Sequence, residues 1–255
     1  MKATRFEFRF RMVIMVVVIF LGFWSPWIEF LGMHGWFAGR MSLLEALALE
    51  ISRLGLVSFT IATPIVIIVV ALIAAKAAVF RIWGTAYLGP GTVNSSRMKA
   101  ADVMAAGPYR YVRNPLYLGS WGMVGAMCFL MPPTGALFTM VLLTVFLMRI
   151  VLAEEAFLTG QLGEPYRNYL SAVPRLVPQV HTTLPPSSQQ PHWLRAVIAE
   201  INPIGVFIVF AALSWSYNNR LMIQGVVVSF GVSLVVRALM PKSGKQSAVK
   251  SSLSE

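Results

Sequence analysis

Two polar segments in an otherwise apolar chain carry residue types and spacings suited to chemistry. The first is Gly107-Pro108-Tyr109-Arg110-Tyr111-Val112-Arg113-Asn114-Pro115-Leu116-Tyr117-Leu118-Gly119. Asn114 followed by Pro115 predicts a helix start, with a capping side chain and then a proline where its missing N–H costs nothing. The exposed N–H groups of such a start favour an anion or a carboxylate. Gly119, Gly122 and Gly125 recur every three residues, roughly on one face. That face admits either a flat ligand or a second helix close to the backbone. The plainer reading is an ordinary membrane helix start with small-residue packing. The second segment runs from Glu154-Glu155 through Gly163, Tyr166 and Tyr169 to Val173-Pro174-Arg175. Ionisable groups at a membrane edge are costly, which makes the two adjacent acids candidates for function. Acids at a helix C-terminus also oppose the macrodipole. The helix is therefore predicted to continue past them, to about Gln161. The bland alternative is a solvated helix end. Arg149 precedes Glu154 by five residues, about 140° around a helix, so the two do not share a face. It serves either as a snorkelling anchor at lipid headgroups or as a cation for an acceptor carboxylate, with Arg113 and Arg175 behind it.

The elements that hold these residues must be membrane helices. Hydrophobic residues make up 57% of the chain and charged residues 12%, and the mean hydropathy is +0.70. Soluble domains carry roughly 25% charged residues, and one core of this size cannot hide so much apolar surface. The net charge is +11. Its basic residues flank apolar runs, which favours a membrane face over nucleic acid. One cysteine, Cys128, excludes an internal disulfide and a cysteine-based metal cluster, and His34, His181 and His192 lack metal-ligand spacing. No metal is expected.

Six spans are predicted from runs of about 20 apolar residues, at 12–31, 54–79, 116–131, 134–153, 196–217 and 221–240. Pro64 is expected to kink the second. Pro132-Pro133 joins the third and fourth as a helical hairpin, and Asn202-Pro203 interrupts the fifth. Of the 21 basic residues, 18 fall on one side, and Arg40, Arg53 and Arg220 on the other. The positive-inside rule then puts both termini and both long connections in the cytosol. The expected fold class is all-α, a polytopic transmembrane bundle with a hairpin next to a cytosolic cofactor pocket. Its expected divisions are an N-terminal span and loop (1–53), a core (54–179), a Pro/Ser/Gln linker (180–195), a two-span appendage (196–240) and a disordered tail (241–255). Gly89-Pro90-Gly91 reads as a turn, and no strand with a Gly-x-Gly-x-x-Gly turn supports a soluble dinucleotide-type domain.

Together the polar segments resemble the isoprenylcysteine carboxyl methyltransferase and phospholipid methyltransferase superfamily of integral membrane enzymes. That family has a Gly-x-Tyr…Arg-His-Pro-x-Tyr-x-Gly start to one helix, then a Glu-Glu pair, a Gly-x-x-Tyr-x-x-Tyr stretch and a Val-Pro-Arg. The matching residues are Gly107, Tyr109, Arg113, Asn114, Pro115, Tyr117 and Gly119, then Glu154, Glu155, Gly163, Tyr166, Tyr169, Val173, Pro174 and Arg175. Arg81-Ile82-Trp83 with Ala86-Tyr87-Leu88-Gly89 resembles the family's upstream segment, so the likeness covers roughly 54–178. Asn114 stands where the family has histidine. It hydrogen-bonds but does not titrate, which removes proton transfer and leaves positioning.

The resemblance implies an enzyme that uses S-adenosylmethionine at the membrane. Gly107, Tyr109, Arg113, Asn114, Pro115, Leu116, Tyr117 and Gly122 would stand around the cofactor. Glu154 and Glu155 would take its amino group or ribose hydroxyls. On the acceptor side are Tyr166, Tyr169, Arg175 and Arg149, the last as the catalytic residue holding an acceptor carboxylate. Neither motif holds a histidine to deprotonate an amine, so the preferred acceptor is an isoprenylcysteine-like carboxyl group. Phospholipid N-methylation is the alternative within the class, and a non-enzymatic transporter or scaffold the alternative outside it. The expected partners are the bilayer and a lipophilic acceptor, without nucleic acid.

Overall fold

The computed structural model describes residues 2–24, 41–88, 105–185 and 187–239. The end of the first predicted span beyond Trp24, His34, Arg40, the Gly89-Pro90-Gly91 turn, Arg97, Lys99 and the predicted disordered tail lie outside these. All regular structure among the described residues is helical: α1 (Arg5–Arg9), α2 (Arg11–Phe23), α3 (Leu43–Arg53), α4 (Phe59–Leu88), a 3-10 turn (Gly107–Arg110), α5 (Pro115–Cys128), α6 (Pro133–Leu162), α7 (Glu164–Ala172), α8 (Trp193–Ala199), α9 (Ile201–Ile208) followed by a π-helical turn (Val209–Leu213) and a 3-10 turn (Ser214–Ser216), and α10 (Asn219–Leu239).

Three helices, α4, α6 and α10, are long and apolar enough to cross a bilayer. Helix α8 with the run 201–216 makes a fourth if the pair, bent by 66°, is one span. The helices are consistent with an integral membrane protein; the described residues hold three such helices, or four with the bent pair, and do not establish the predicted six. Helix α2 has 13 described residues and α5 has 14. Fourteen residues rise only about 21 Å, against about 30 Å of hydrocarbon. Beyond Cys128 the backbone tightens. The N–H groups of Phe129, Leu130 and Met131 each bond the carbonyl three residues back. The Phe129 and Met131 carbonyls then accept from Leu44 and Leu43, the first N–H groups of α3. Two helix ends thus satisfy each other's orphan groups. Helix α3 escaped the sequence reading, although its capping box, Ser42 with Glu45, was visible there.

The fifth predicted span breaks at Glu200, not at Asn202-Pro203. Pro203 lies in the first turn of α9, where no intrahelical N–H bond is lost. Helix α4 runs through Pro64 to Leu88, beyond the predicted end at residue 79, and so carries Arg81 and Trp83 on its last turns. The predicted linker folds back onto that end. The Ala86 carbonyl accepts from the His192 N–H at 2.8 Å, and the Tyr87 carbonyl from the Gln189 amide at 2.8 Å.

Helix α4 is the hub, packing against α3, α5, α8 and α9. Ile67, Val70 and Ala74 bury one of its faces with Ala126, Leu130, Val206, Phe210 and Val226. Ile61, Ile65, Ile68, Val69 and Leu72 remain exposed as a lipid-facing surface. A second core joins α2, α5 and α6 through Val124, Met131, Leu143, Phe146 and Ile150, with Ile14 and Ile19 of α2 packed against it. Small residues set the α4–α5 distance. A Cβ on Gly119 would lie 2.5 Å from Arg81 Cγ and 2.9 Å from the Ala77 carbonyl oxygen. One on Gly125 would meet only Met140, at 3.9 Å. Gly119→Ala should therefore destabilise by about 1–3 kcal/mol through overpacking. Gly125→Ala should be neutral or slightly stabilising, since alanine is the better helix former. Thermal unfolding of both variants in detergent checks the contrast.

Candidate active site

The two polar segments meet around Glu155. Helix α6 continues through both acids to Leu162, as the sequence predicts, and buries Glu155 at its inner face. The Arg175 Nη2 lies 2.8 Å from Glu155 Oε2, and its Nε 3.0 Å from the same oxygen. Arg113 Nη1 is 3.2 Å from Oε1. The Asn114 amide donates to Oε1 at 3.3 Å and to the Arg175 carbonyl at 3.2 Å, and the Arg113 N–H donates to the Pro174 carbonyl at 2.9 Å. Asn114, predicted to cap α5, makes no capping bond; its side chain is spent on this clasp. The first N–H groups of α5 therefore lack that internal acceptor. The hydrogen bonds to Glu155 raise the pKa of Arg175 above its already high ordinary value. Together these contacts unite the Arg-Asn-Pro, Glu-Glu and Val-Pro-Arg pieces at one point.

Glu154 sits apart from the clasp. Its Oε2 accepts from the Tyr117 hydroxyl at 2.8 Å, and Arg11 acts on it electrostatically. Tyr109 is buried nearby, with its hydroxyl 3.5 Å from the Gly84 carbonyl. Burial pushes its phenol well above the ordinary value, and the Glu154 charge adds to that. Tyr117 and Glu154 thus bring the start of α5 and the end of α6 within hydrogen-bonding distance, beside Tyr109.

The other predicted site residues make packing, hydrogen-bond or ion-pair contacts within the protein. Gly107 adopts φ +53°, and a Cβ there would strike the Tyr87 ring at 2.4 Å. Pro115 and Leu116 close over Gly84 of α4. Gly122 faces Ala77 at 3.3 Å, so this glycine face receives a helix rather than a flat ligand. Tyr166 and Tyr169 are buried with Val173, and the Tyr169 hydroxyl donates to the Tyr109 carbonyl at 2.8 Å. Burial raises both phenols. Arg149 is paired with an acid of the protein itself. Its Nε and Nη2 grip Glu7 at 3.1 and 3.0 Å, and its carbonyl accepts from the Ala3 N–H at 3.0 Å.

Residues 57–164 match the family model described as phospholipid methyltransferase. The matched family is one of integral membrane methyltransferases, and the match spans less than half of the chain. The matched segment runs from before α4 to the end of α6, so it includes Asn114, Tyr117, Glu154 and Glu155. It stops short of Tyr166, Tyr169, Arg175 and the C-terminal helices. Comparison with curated proteins and with solved structures finds no match.

Sequence reasoning missed two acids. Glu7 is an acid amid basic residues, in a Thr4–Glu7 capping box. Glu200 interrupts an apolar run, a signal that the sequence reading took only as a shortened span. It is 1% exposed and pairs with Arg81 at 2.6 Å.

Glu155→Gln removes the counter-charge for two arginines. It should lower stability by about 1.5–3 kcal/mol, as for lost hydrogen bonds to a charged group, read from thermal or denaturant midpoints in detergent. Glu7 gives a pH signature. Its carboxyl is held at about 2, against the ordinary 4.5, by the Arg149 side chain and the Thr4 N–H. A depressed carboxyl contributes stability above its ordinary pKa and loses it as pH falls through the folded one. The stability difference between wild type and Glu7→Gln should hold steady above about pH 4.5 and shrink towards pH 2. A stability series across that range measures it.

Proposed function

We propose that the protein transfers a methyl group from S-adenosylmethionine to a lipophilic amine, of the phosphatidylethanolamine kind, at the membrane face where α4, α5 and α6 converge. The cofactor's amino acid end carries an ammonium and a carboxylate. Glu154, bonded by the Tyr117 hydroxyl and under the field of Arg11, would take the ammonium. The uncapped start of α5 suits the carboxylate. When bound, the cofactor supplies an electrophilic methyl group. The chain's residues would then orient it and exclude water, which is most of what methyl transfer requires. Glu155, locked by Arg113, Arg175 and Asn114, would set the position of both segments rather than touch the ligand.

One observation carries the choice of acceptor. All three arginines that might hold an acceptor carboxylate already hold the protein's own, Arg149 on Glu7 and Arg113 and Arg175 on Glu155. An anionic acceptor thus loses the counter-charge on which the isoprenylcysteine-like carboxyl reading relied. An amine acceptor needs none; it would attack as the free base, its ammonium proton given up to water before it enters, so that no histidine is required, and the description of the matched family points the same way. By the division of basic residues, this face is the cytosolic one and both termini lie on that side.

The test is methyl-labelled S-adenosylmethionine with the full chain, offered phosphatidylethanolamine vesicles and, separately, a prenylcysteine analogue. Label should enter the amine lipid. Glu154→Gln should weaken cofactor affinity about tenfold or more, the loss of one charge-assisted bond. Arg149→Lys should still methylate, since its partner is Glu7. Base-labile methyl ester on the prenylcysteine analogue would restore the carboxyl reading. Absence of S-adenosylmethionine binding to the wild-type chain would overturn the methyltransferase reading.

A further inference from the structure

The C-terminal helices lie outside the matched methyltransferase segment, yet they insert a charge into it. Glu200 sits at the 66° break between α8 and α9 and is almost fully buried. Its carboxylate takes two bonds from Arg81, Nε at 2.6 Å and Nη2 at 2.9 Å, and one from the Thr85 hydroxyl at 2.5 Å. The third nitrogen of Arg81, Nη1, donates to Ser120 Oγ of α5 at 2.6 Å. Ser120 in turn donates to the Leu116 carbonyl at 2.9 Å. Gly119 lies so close that its missing side chain makes room for the Arg81 stem. Leu116 and Tyr117 begin α5, and Tyr117 holds Glu154. A continuous set of bonds thus runs from Glu200 through Arg81 and Ser120 to the first turn of α5.

A guanidinium buried here without its carboxylate would turn towards other acceptors or water. With Glu200 on two nitrogens, the third has one orientation left, towards Ser120. The Arg81 stem and guanidinium then define how α5 sits on α4.

We propose that Glu200 is a positioning residue for the cofactor site, acting through Arg81 and Ser120 on the Tyr117–Glu154 pair, so that the C-terminal helices are a working part of the methyltransferase. The inference rests on the proposed role of Glu154 for its effect on affinity, but the effect on Tyr117 stands independently of any ligand.

Two readouts on the full chain in detergent separate these. The first is the 19F resonance of 3-fluorotyrosine placed at position 117. Glu200→Gln and Ser120→Ala should both shift it. Arg220→Ala, an exposed change at the start of α10 on the same C-terminal unit, should not. The second is S-adenosylmethionine affinity, expected to fall about tenfold in Ser120→Ala with a thermal midpoint near that of wild type. If Glu200→Gln fails to fold, Ser120→Ala decides, because it keeps the buried pair and cuts only the bond to α5. An unchanged 19F resonance in Ser120→Ala overturns the relay, whether or not the cofactor binds. A shifted resonance with no S-adenosylmethionine binding in any variant, wild type included, sustains the relay and defeats the methyltransferase reading instead.

Discussion

Glu155 is a carboxylate buried at the end of a membrane helix, and such a group is tolerable only when its charge and lone pairs are answered. Arg113, Arg175 and Asn114 answer them from two segments that are far apart in sequence. The requirement works in both directions. The acid draws the segment before α5 and the one after α7 to the end of α6, and neither can leave without stranding a charge in a low-dielectric setting. Tyr117 and Glu154 are then neighbours because Asn114 and Glu155 already are. The Asn114 amide donates into this clasp, a duty that needs hydrogen-bonding capacity and no titration.

Four ion pairs tie together elements distant in sequence: Glu7 of α1 to Arg149 of α6, Arg113 and Arg175 to Glu155, and Arg81 of α4 to Glu200 at the α8–α9 break. The pairs Arg53–Glu50 and Arg167–Glu164 are exposed and local. In lipid, apolar packing gives helices little reason to prefer one neighbour over another, so polar contacts and small-residue interfaces supply much of the specificity. The α4–α5 contact has both, through Gly119 against Ala77 and through Arg81 bonded to Ser120. That pairing brings the polar ends of the helices together.

The same economy bears on chemistry. Arginines already paired with protein carboxylates are poor holders of an anionic substrate, and tyrosines buried against carbonyls are poor contacts for an acceptor. Glu154 is held by the Tyr117 hydroxyl, with Arg11 acting on it. In the proposed reading a sulfonium cofactor would gain from such an acid, since burial strengthens its attraction for a cation.

By itself the sequence determined the membrane character, the helical class, the two segments that converge and the continuation of α6 past its acids, because hydropathy, proline position and helix-end electrostatics are local properties. It resolved less well where length and partnership decide. The run 116–131 is apolar enough for a span, but its helix stops at Cys128, because α3 bonds the carbonyls of the turn that follows. Only the tertiary structure decided what each charge pairs with. Arg149 met Glu7 across 142 residues and Arg81 met Glu200 across 119. Spacing on one helix says which residues share a face, but not which distant acid is folded against it. That choice follows from packing of the whole bundle, where every buried charge must find its partner at once.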